Sequence, residues 1–468
     1  MTGLGVGLTH VPGAETLLEA CADLLEVVEI EPQTLWRALP DGTTGSDEET
    51  LRRLSDLPGA RLLHGVGNPV GGCRPPDPRQ TALVGELAER LRAPWVSEHL
   101  AFNRTGRDGE GFRTGFMLPP RQTPEGVRRA VASVRAMADA LPVPLAVEIG
   151  ANYLRPRADE LPDGRFVAGV AEGADCGLLL DLHNVLANER NGRASVDRLL
   201  DELPLDRVWE VHLAGGFEHR GYWLDAHSGL PDEELLALAE RVLPRLPALR
   251  AVLFEVTGSA VPYLDPGAVR DLLVRVREQW RPPPAAGPFA PTRVPRVRPP
   301  ADEPGAGPDP EEWEYALGAL AIGREADGPL ARELAADPAI ALLRELVAEL
   351  RASQLAGTLT HTIRLLLLTL GETGVRALLD DYTRSRPPEP FATEEAEAFA
   401  AHLRRTRPRV PWLTDVLELD LGLLRVRLDD VPRTVRLGTD PNDLLAALGA
   451  GRLPVAPKRG EFLVRLTA

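Results

Sequence analysis

A chain of 468 residues, 44% hydrophobic and 26% charged, has ample apolar material and exceeds one compact core, so two domains are expected. A formal charge of −16 argues against a basic nucleic-acid face or attraction to anionic membranes, and no apolar run is long enough to span a bilayer. Three scattered cysteines, Cys21, Cys73 and Cys176, suit a reducing compartment; with no basic-then-apolar leader, a cytoplasmic location is expected.

From the N-terminus, short apolar strands alternate with helical stretches. The strands read as "GLGVGL" (3–8), "VVEIEP" (27–32), "RLLHGV" (61–66), "WVSEHLAF" (95–102), "LAVEIGA" (145–151), "GLLLDLHN" (177–184), "VWEVHLAGG" (208–216) and "AVLFEVTG" (251–258). Helices such as "TPEGVRRAVASVRAMADAL" and "PDEELLALAERVLPRL" lie between them. Eight near-continuous apolar strands separated by helices predict a closed parallel (β/α)8 TIM barrel over residues 1–280. The competing doubly wound sheet lacks its phosphate loop, because "GLGVG" has the wrong spacing and no helix directly behind it.

The strand ends carry the chemistry. In chain order they offer His64; Glu98 and His99; Glu148; Asp181, His183 and Asn184; His212; Asp225 and His227 in the following loop; and Glu255. A parallel barrel gathers these positions at the end where active sites sit. Imidazole and carboxylate together are the ligand set of zinc, iron or manganese. Any one of them alone reads as a structural residue, but a shared metal cluster accounts for the whole series. One ion uses three or four protein ligands, so this many donors call for more than one, with Glu148 or Asp225 suited to bridging. His10 is not assigned as a ligand. Glu29 and Glu31 read as mouth residues or as partners that orient histidines.

"RPPPAAGPFAPTRVPRVRPPADEPGAGPDP" (281–310) is too rich in proline for a helix or central strand and reads as an extended linker. Beyond it, residues 311–468 predict amphipathic helices followed by strand-like alternation around one short helix, a smaller α+β domain. Within it, "RLLLLTL" (364–370) reads as a buried helix face.

The motifs "HGVG", "SEHLAF", "LLLDLHN…N…NG", "VHLAGG" and "LDAHS" resemble those of the multinuclear non-heme iron-dependent oxidative enzymes, typified by the enzyme that builds oxazolone–thioamide groups in methanobactin. The likeness spans residues 1–285. It implies a xylose-isomerase-like barrel with two or three irons of mixed Fe(II)/Fe(III) state. It further implies an oxidoreductase that uses dioxygen to modify residues, often cysteines, in ribosomally made precursor peptides (RiPP biosynthesis). The resemblance implies iron ligands at His64, His99, Glu148, Asp181, Asn184, His212, Asp225, His227 and Glu255, with Glu148, Asp225 and His227 as the catalytic residues. Glu31, Gln33 and His183 are expected to face substrate. The chain departs from the family at Gln33-Thr34, where Glu-Asn is frequent, and at His183, where a second Asn is common; both bear on substrate identity.

Family enzymes usually work with a separate protein that captures the leader of the precursor. "DDYTRSRPPEPFATEEAEAFAAHLR" and "VPWLTDVLELD" are similar to the helical part of such partners, which implies enzyme and partner fused in one chain. The terminal strand-like segment suits pairing with an extended leader; a purely stabilising domain is the alternative. Three rivals are weighed. A sugar isomerase would favour a lysine near its metals, and no strand end offers one. A metal-dependent hydrolase of nucleic acid would carry a basic groove. A non-catalytic binding protein would have no use for so full a ligand set.

Overall fold

The computed structural model describes residues 3–38, 43–106, 111–280 and 307–467. Most of the proline-rich linker expected at 281–310 falls outside the described residues.

The barrel strands are β1 (Gly5–His10), β2 (Val27–Ile30), β3 (Ala60–Gly65), β4 (Val96–His99), β5 (Leu145–Glu148), β6 (Gly177–Asp181), β7 (Val208–Leu213) and β8 (Ala251–Phe254). All neighbours pair in parallel, in chain order, and β8 closes on β1. The expected (β/α)8 barrel is therefore the architecture found.

The near-continuous hydrophobicity of these strands hides a strict division of faces, since successive side chains point to opposite sides. Val6, Leu8, Val28, Ile30, Leu63, Val96, Val147, Leu178, Leu180, Val211, Val252 and Phe254 pack against the helices. Val27, Leu62, Trp95, Ala146, Trp209, Ala251 and Leu253 form a second, separate cluster that plugs the barrel from below. Gly177 makes room for that plug: a Cβ here would overlap the Trp209 indole. Above the plug the inward positions turn polar. Glu29, His64, Ser97, Glu148, Asp181, Glu210 and His212 are all buried there.

The chain after residue 309 is mostly helical, with a long helix (Ala339–Thr358), a kinked one (Thr360–Ser385) and two more (Ala392–Thr406, Leu413–Asp429). It ends in an antiparallel pair, Arg433–Thr439 with Arg459–Leu466, around the short helix Pro441–Gly449. In the Thr360–Ser385 helix Leu365 and Leu366 are buried but Leu367 is exposed, so "RLLLLTL" is a buried face only in part.

This region rests on loops at the C-terminal end of the barrel strands. Trp313 is buried, its Nε1 donates to the Pro119 carbonyl (3.1 Å), and Arg121 and Arg157 lie over its ring. Glu314 accepts the Cys73 backbone N–H (2.7 Å) and Asp337 that of Arg155 (3.0 Å). Farther along, Pro388 meets Gly115, and Phe391 packs edge-on against Trp36 with centroids 6.2 Å apart. Residues 386–391 thus form a strap from one barrel hairpin to another, across the mouth.

Candidate metal centre

The run that ends β6 answers why three polar residues follow an apolar strand. Asp181 caps the helix Leu182–Arg190, its Oδ1 accepting the backbone N–H groups of His183 (2.6 Å) and Asn184 (3.0 Å). Its Oδ2 is left over and points into the barrel mouth, 3.7 Å from His227 Nε2. The first helical turn then presents Asn184, whose Nδ2 reaches Glu148 Oε1 (3.3 Å). Later turns place Asn188 against the loop after β5 and Asn191 against the backbone of Trp223.

Two histidines converge on Glu148. His64 Nε2 stands 3.1 Å and His99 Nε2 2.9 Å from Glu148 Oε2. Their other nitrogens are tied back, His64 Nδ1 to Ser97 Oγ (2.8 Å) and His99 Nδ1 to the Gly65 carbonyl (3.0 Å). That arrangement fixes each ring with Nε2 aimed inward, as metal-binding histidines are commonly held.

On the opposite wall, His212 Nδ1 bonds Glu255 Oε2 (2.7 Å), and Glu255 Oε1 lies 3.2 Å from His227 Nδ1. His227 Nε2 meets Asp225 Oδ1 at 2.6 Å. His227 adopts a left-handed backbone (φ 43°), a strain of about 1–3 kcal/mol that functional loops often carry. Its loop is pinned by the Asp225 N–H to Tyr153 Oη (3.1 Å) and the Thr257 N–H to the His227 carbonyl (3.0 Å).

Burial and charge oppose each other throughout. Burial alone would raise the Glu148 carboxyl, but His99 and His64 outweigh it and hold it well below the ordinary range. Burial would lower His212 and His227; Glu29 and Glu255 beside the first, and Glu255 and Asp225 beside the second, drive both well upward. Glu31 at the rim is pushed up to about 7 by burial, with Glu255 adding to the effect.

His64 Nε2, Glu148 Oε2, Asp181 Oδ2, Asn184 Oδ1, His212 Nε2, Asp225 Oδ1 and His227 Nε2 are buried without a hydrogen-bond partner. Buried polar atoms are costly when unpaired, so a cluster of them facing one space is what a cation site requires. Among the described residues four groups each bring their ligand atoms within 4.8 Å: His64, His99 and Glu148; Glu148, Asp181 and His212; Asp181, His227 and Glu255; and Glu29, Glu210 and His212. Glu148 is common to the first two, Asp181 to the second and third, and His212 to the second and fourth. Asp225 belongs to none of these groups, although its Oδ1 stands 2.6 Å from His227 Nε2. The donor set of imidazole nitrogen and carboxylate oxygen fits iron, as it fits manganese or zinc.

One participant was missed by sequence reasoning: Glu210, on β7, points inward with Oε2 accepting Trp95 Nε1 (3.0 Å). Glu98, one of the strand-end carboxylates, is buried beside His99 and pushed by burial up to about 7. Glu210's signal was its place two residues before His212, hence on the same face of one strand.

Of the residues expected to face substrate, Glu31 and Gln33 line a trough of about 470 Å³. The trough runs under the strap, with Arg113 and Phe116 on the barrel side and Gln354 and Phe391 opposite. His183 does not line the trough: it is buried in the helix start, with Nε2 3.2 Å from the Leu224 carbonyl and its ring 6.2 Å from that of His227, because the helix that Asp181 caps turns it toward the Phe217–Leu224 hairpin. A smaller cavity of about 80 Å³, lined by Phe116, Met117, Ile149 and Phe166, touches His99 and Asp225.

A family profile described as "RiPP precursor modification enzyme MbnB/TglH/ChrH" matches residues 3–265. A UPF0276 protein of Streptomyces avermitilis is 34% identical over 231 residues, 47% of this chain and 47% of that protein, so the match spans about half of that relative. A UPF0276 protein of Anaeromyxobacter sp. (strain Fw109-5) is 33% identical over 228 residues, 48% of this chain and 76% of that protein. Among solved structures, a D-psicose 3-epimerase from Clostridium cellulolyticum H10 aligns at 14% identity and TM-score 0.36 over 59% of this chain and 96% of its own. A xylose isomerase domain protein from Planctomyces limnophilus aligns at 16% identity and TM-score 0.38, over 59% of this chain and 98% of its own.

Proposed function

The chain belongs to the RiPP precursor modification enzyme family MbnB/TglH/ChrH, and we propose that it oxidatively modifies a residue, most simply a cysteine, of a ribosomally made precursor peptide. The observation that carries this reading is the convergence of orphaned imidazole and carboxylate atoms on one space at the barrel mouth. His64, His99 and Glu148 would hold one iron, Glu148, Asp181 and His212 a second, and Asp181, His227 and Glu255 a third, with Asn184 and Asp225 alongside. Two or three ions of mixed Fe(II)/Fe(III) state, once bound, supply dioxygen activation and a soft-ligand position for a substrate thiolate.

The protein's own part is positioning. Ser97 and the Gly65 carbonyl fix the ring planes of His64 and His99. Phe116, Met117, Ile149 and Phe166 keep apolar surface against His99 and Asp225, which keeps water from the reacting side chain. Glu31 and Gln33 sit where a peptide lying in the trough would pass, and the Gln33 amide has neither end hydrogen-bonded. A side-chain amide of this kind can donate to one peptide carbonyl and accept from one peptide N–H.

In this reading residues 1–280 are the catalytic unit, 281–310 the linker and 311–468 the fused partner that presents the precursor. The roofing of the trough by Gln354 and Phe391 supports that division, and the exposed edges of the terminal hairpin suit leader binding by strand addition.

Elemental analysis of anaerobically purified protein, with EPR on the same sample, tests the reading. The expected result is roughly two to three irons per chain with a mixed-valence signal. Zinc, magnesium or manganese held stoichiometrically, with no iron retained after reconstitution, would replace it with hydrolase or isomerase chemistry.

A further inference from the structure

The barrel wall of the trough carries a charge arrangement that folding alone does not call for. In the antiparallel hairpin of Phe102–Thr105 with Phe112–Leu118, Arg104 stands directly opposite Arg113. Like charges so placed destabilise a hairpin. Both residues are half-buried, and Arg74 adds a third positive charge beside Arg104. Arg104 is committed: its Nη2 donates to the Pro75 carbonyl (2.9 Å) and to Asn68 Oδ1 (3.3 Å). Arg113 is not. Among the described residues it makes no hydrogen bond or ion pair, and Asp77, Glu389 and Glu394 act on it only at a distance. Two of these are engaged elsewhere, since Asp77 Oδ1 caps the helix Pro78–Leu91 and Glu389 Oε1 lies 2.7 Å from Arg386. In a chain of net charge −16, a half-buried cation left free opposite another cation is a place suited to an anion.

A second set of uncommitted groups lines the same trough. Gln80 is 8% exposed, and its Oε1 is buried without a hydrogen-bond partner, as are both amide atoms of Gln33. The two side chains meet over Gly67: a Cβ there would stand 2.9 Å from Gln33 Nε2 and 3.1 Å from Gln80 Oε1, so the missing side chain is what lets both reach this point. Amides with an unused donor and unused acceptors suit an extended main chain, which offers C=O and N–H groups in turn. We propose that the trough is a carboxylate-selective peptide site, in which Arg113 pairs with a carboxylate of the precursor while Gln33 and Gln80 hold the adjoining main chain. A guanidinium takes a carboxylate through two parallel N–H···O bonds, and the negative charge also relieves the Arg104–Arg113 repulsion. The carboxylate comes from an Asp or Glu side chain near the modified residue or from the C-terminus of the peptide.

This inference rests on the reading of the substrate as a precursor peptide, and its test is binding, independent of any reaction. The probe is a set of fluorescently labelled, Cys-centred nonapeptides in which each flanking position is scanned through Asp, Asn and Lys. Each is made with a free and with an amidated C-terminus. Anisotropy is read anaerobically on the full chain, for wild type, Arg113→Glu and Arg113→Gln. Wild type is expected to prefer Asp over Asn at one position, or a free over an amidated C-terminus, by about tenfold, and which of the two it prefers identifies the source of the carboxylate. Arg113→Glu is expected to reverse the preference toward Lys, or toward the amidated end, and to melt no lower than wild type because Arg104 then faces an opposite charge. Gln80→Leu is expected to weaken all peptides alike with the preference unchanged; undiminished affinity would overturn the main-chain half of the proposal. Peptides bound with no carboxylate preference, or with the same preference in wild type and Arg113→Glu, would overturn the carboxylate half and leave the peptide reading standing. Should Arg113→Glu fail to fold, Arg113→Gln decides: the preference is expected to vanish, and a wild-type ratio overturns the proposal. A wild type that binds none of the set removes the trough as a peptide site and the inference with it.

Discussion

Arg351 Nε stands 2.7 Å from Glu395 Oε1, with both side chains at 2% exposure or less. The pair also holds the strap across the barrel mouth: Arg351 Nη1 donates to the Arg386 carbonyl (3.0 Å), and Glu395 Oε2 accepts the Glu389 N–H (2.9 Å). Removing one partner leaves a buried charge uncompensated, so Glu395→Leu is expected to cost about 3–5 kcal/mol in urea unfolding. Arg351→Met together with Glu395→Leu should recover most of that loss, since an apolar pair can replace a buried ion pair. The double variant should still bind the precursor more weakly, because the strap loses both of its ties. Equal stability of single and double variants would contradict this account.

Single alanine replacements at His64, Glu148 and Asp225 are expected to leave the fold intact and to abolish turnover. Of the three, Glu148 should have the largest effect on metal content, because it belongs to two of the four ligand groups and His64 to one. Elemental analysis should show Glu148→Ala losing more metal than His64→Ala. Comparable turnover in all three variants and wild type would sink the cluster reading.

Glu314 makes the protein's stability depend on pH away from the metal centre. Burial pushes its carboxyl up to about 7 from an ordinary 4.5, with Glu311 nearby adding and Cys73 and Arg129 opposing. Below about pH 4.5 both folded and unfolded chains hold this proton and the group is neutral toward folding. Between 4.5 and 7 the unfolded chain releases it while the folded chain keeps it, so folding is progressively penalised, by about 3 kcal/mol above pH 7. Glu314→Gln keeps an acceptor for the Cys73 N–H and has no proton to lose. Its melting temperature is therefore expected to exceed wild type at pH 8 and to converge with it near pH 5, by scanning calorimetry.

Gly177 tests the plug beneath the site. A methyl group here overlaps the Trp209 indole, which is buried in one cluster with Val27, Leu62 and Ala251. Gly177→Ala is expected to destabilise by about 1–3 kcal/mol in urea unfolding, the usual range for overpacking. A change below a few tenths of a kcal/mol would mean the plug can yield.

Much of the barrel was legible because buried parallel strands read as short apolar runs, and the metal-facing residues stood out as polar breaks at their ends. His64, His99, Glu148, Asp181, His212 and Asp225 are found gathered for that reason. Glu210 was not legible, because one carboxylate inside "VWEVHL" looks the same whether it turns inward or outward, and a register irregularity near Trp209 decides which. Where His183 points was not legible, because proximity in sequence to Asp181 says nothing about rotation around a helix: its Nε2 faces the Leu224 carbonyl while its ring stands 6.2 Å from that of His227. The roof of the trough was hidden for another reason. Gln33 and Phe391 meet only through a fold whose two parts are separated by a proline-rich stretch with no pattern to register them.

The trough itself yields the last prediction. If a precursor peptide passes beneath the strap, narrowing the trough should weaken peptide binding and leave the metal ions alone. Gly115 offers the means. It has a positive φ (66°), and a Cβ there would stand 2.6 Å from Pro388, so a side chain must push the strap or twist the hairpin. Phe391→Ala acts in the opposite sense, opening the roof by removing the ring that packs against Trp36. Both substitutions lie outside the ligand set, so iron content and EPR signal are expected to match wild type. Gly115→Val should raise KM for the precursor, because the space is lost to substrate and intermediate alike. Phe391→Ala should raise KM by removing apolar contact, about 3–5 kcal/mol for a fully buried ring and less for this half-exposed one. Steady-state kinetics on the precursor, paired with elemental analysis, separates the cases. A lowered kcat with unchanged KM would place the peptide elsewhere and leave the trough a gap between two packed surfaces.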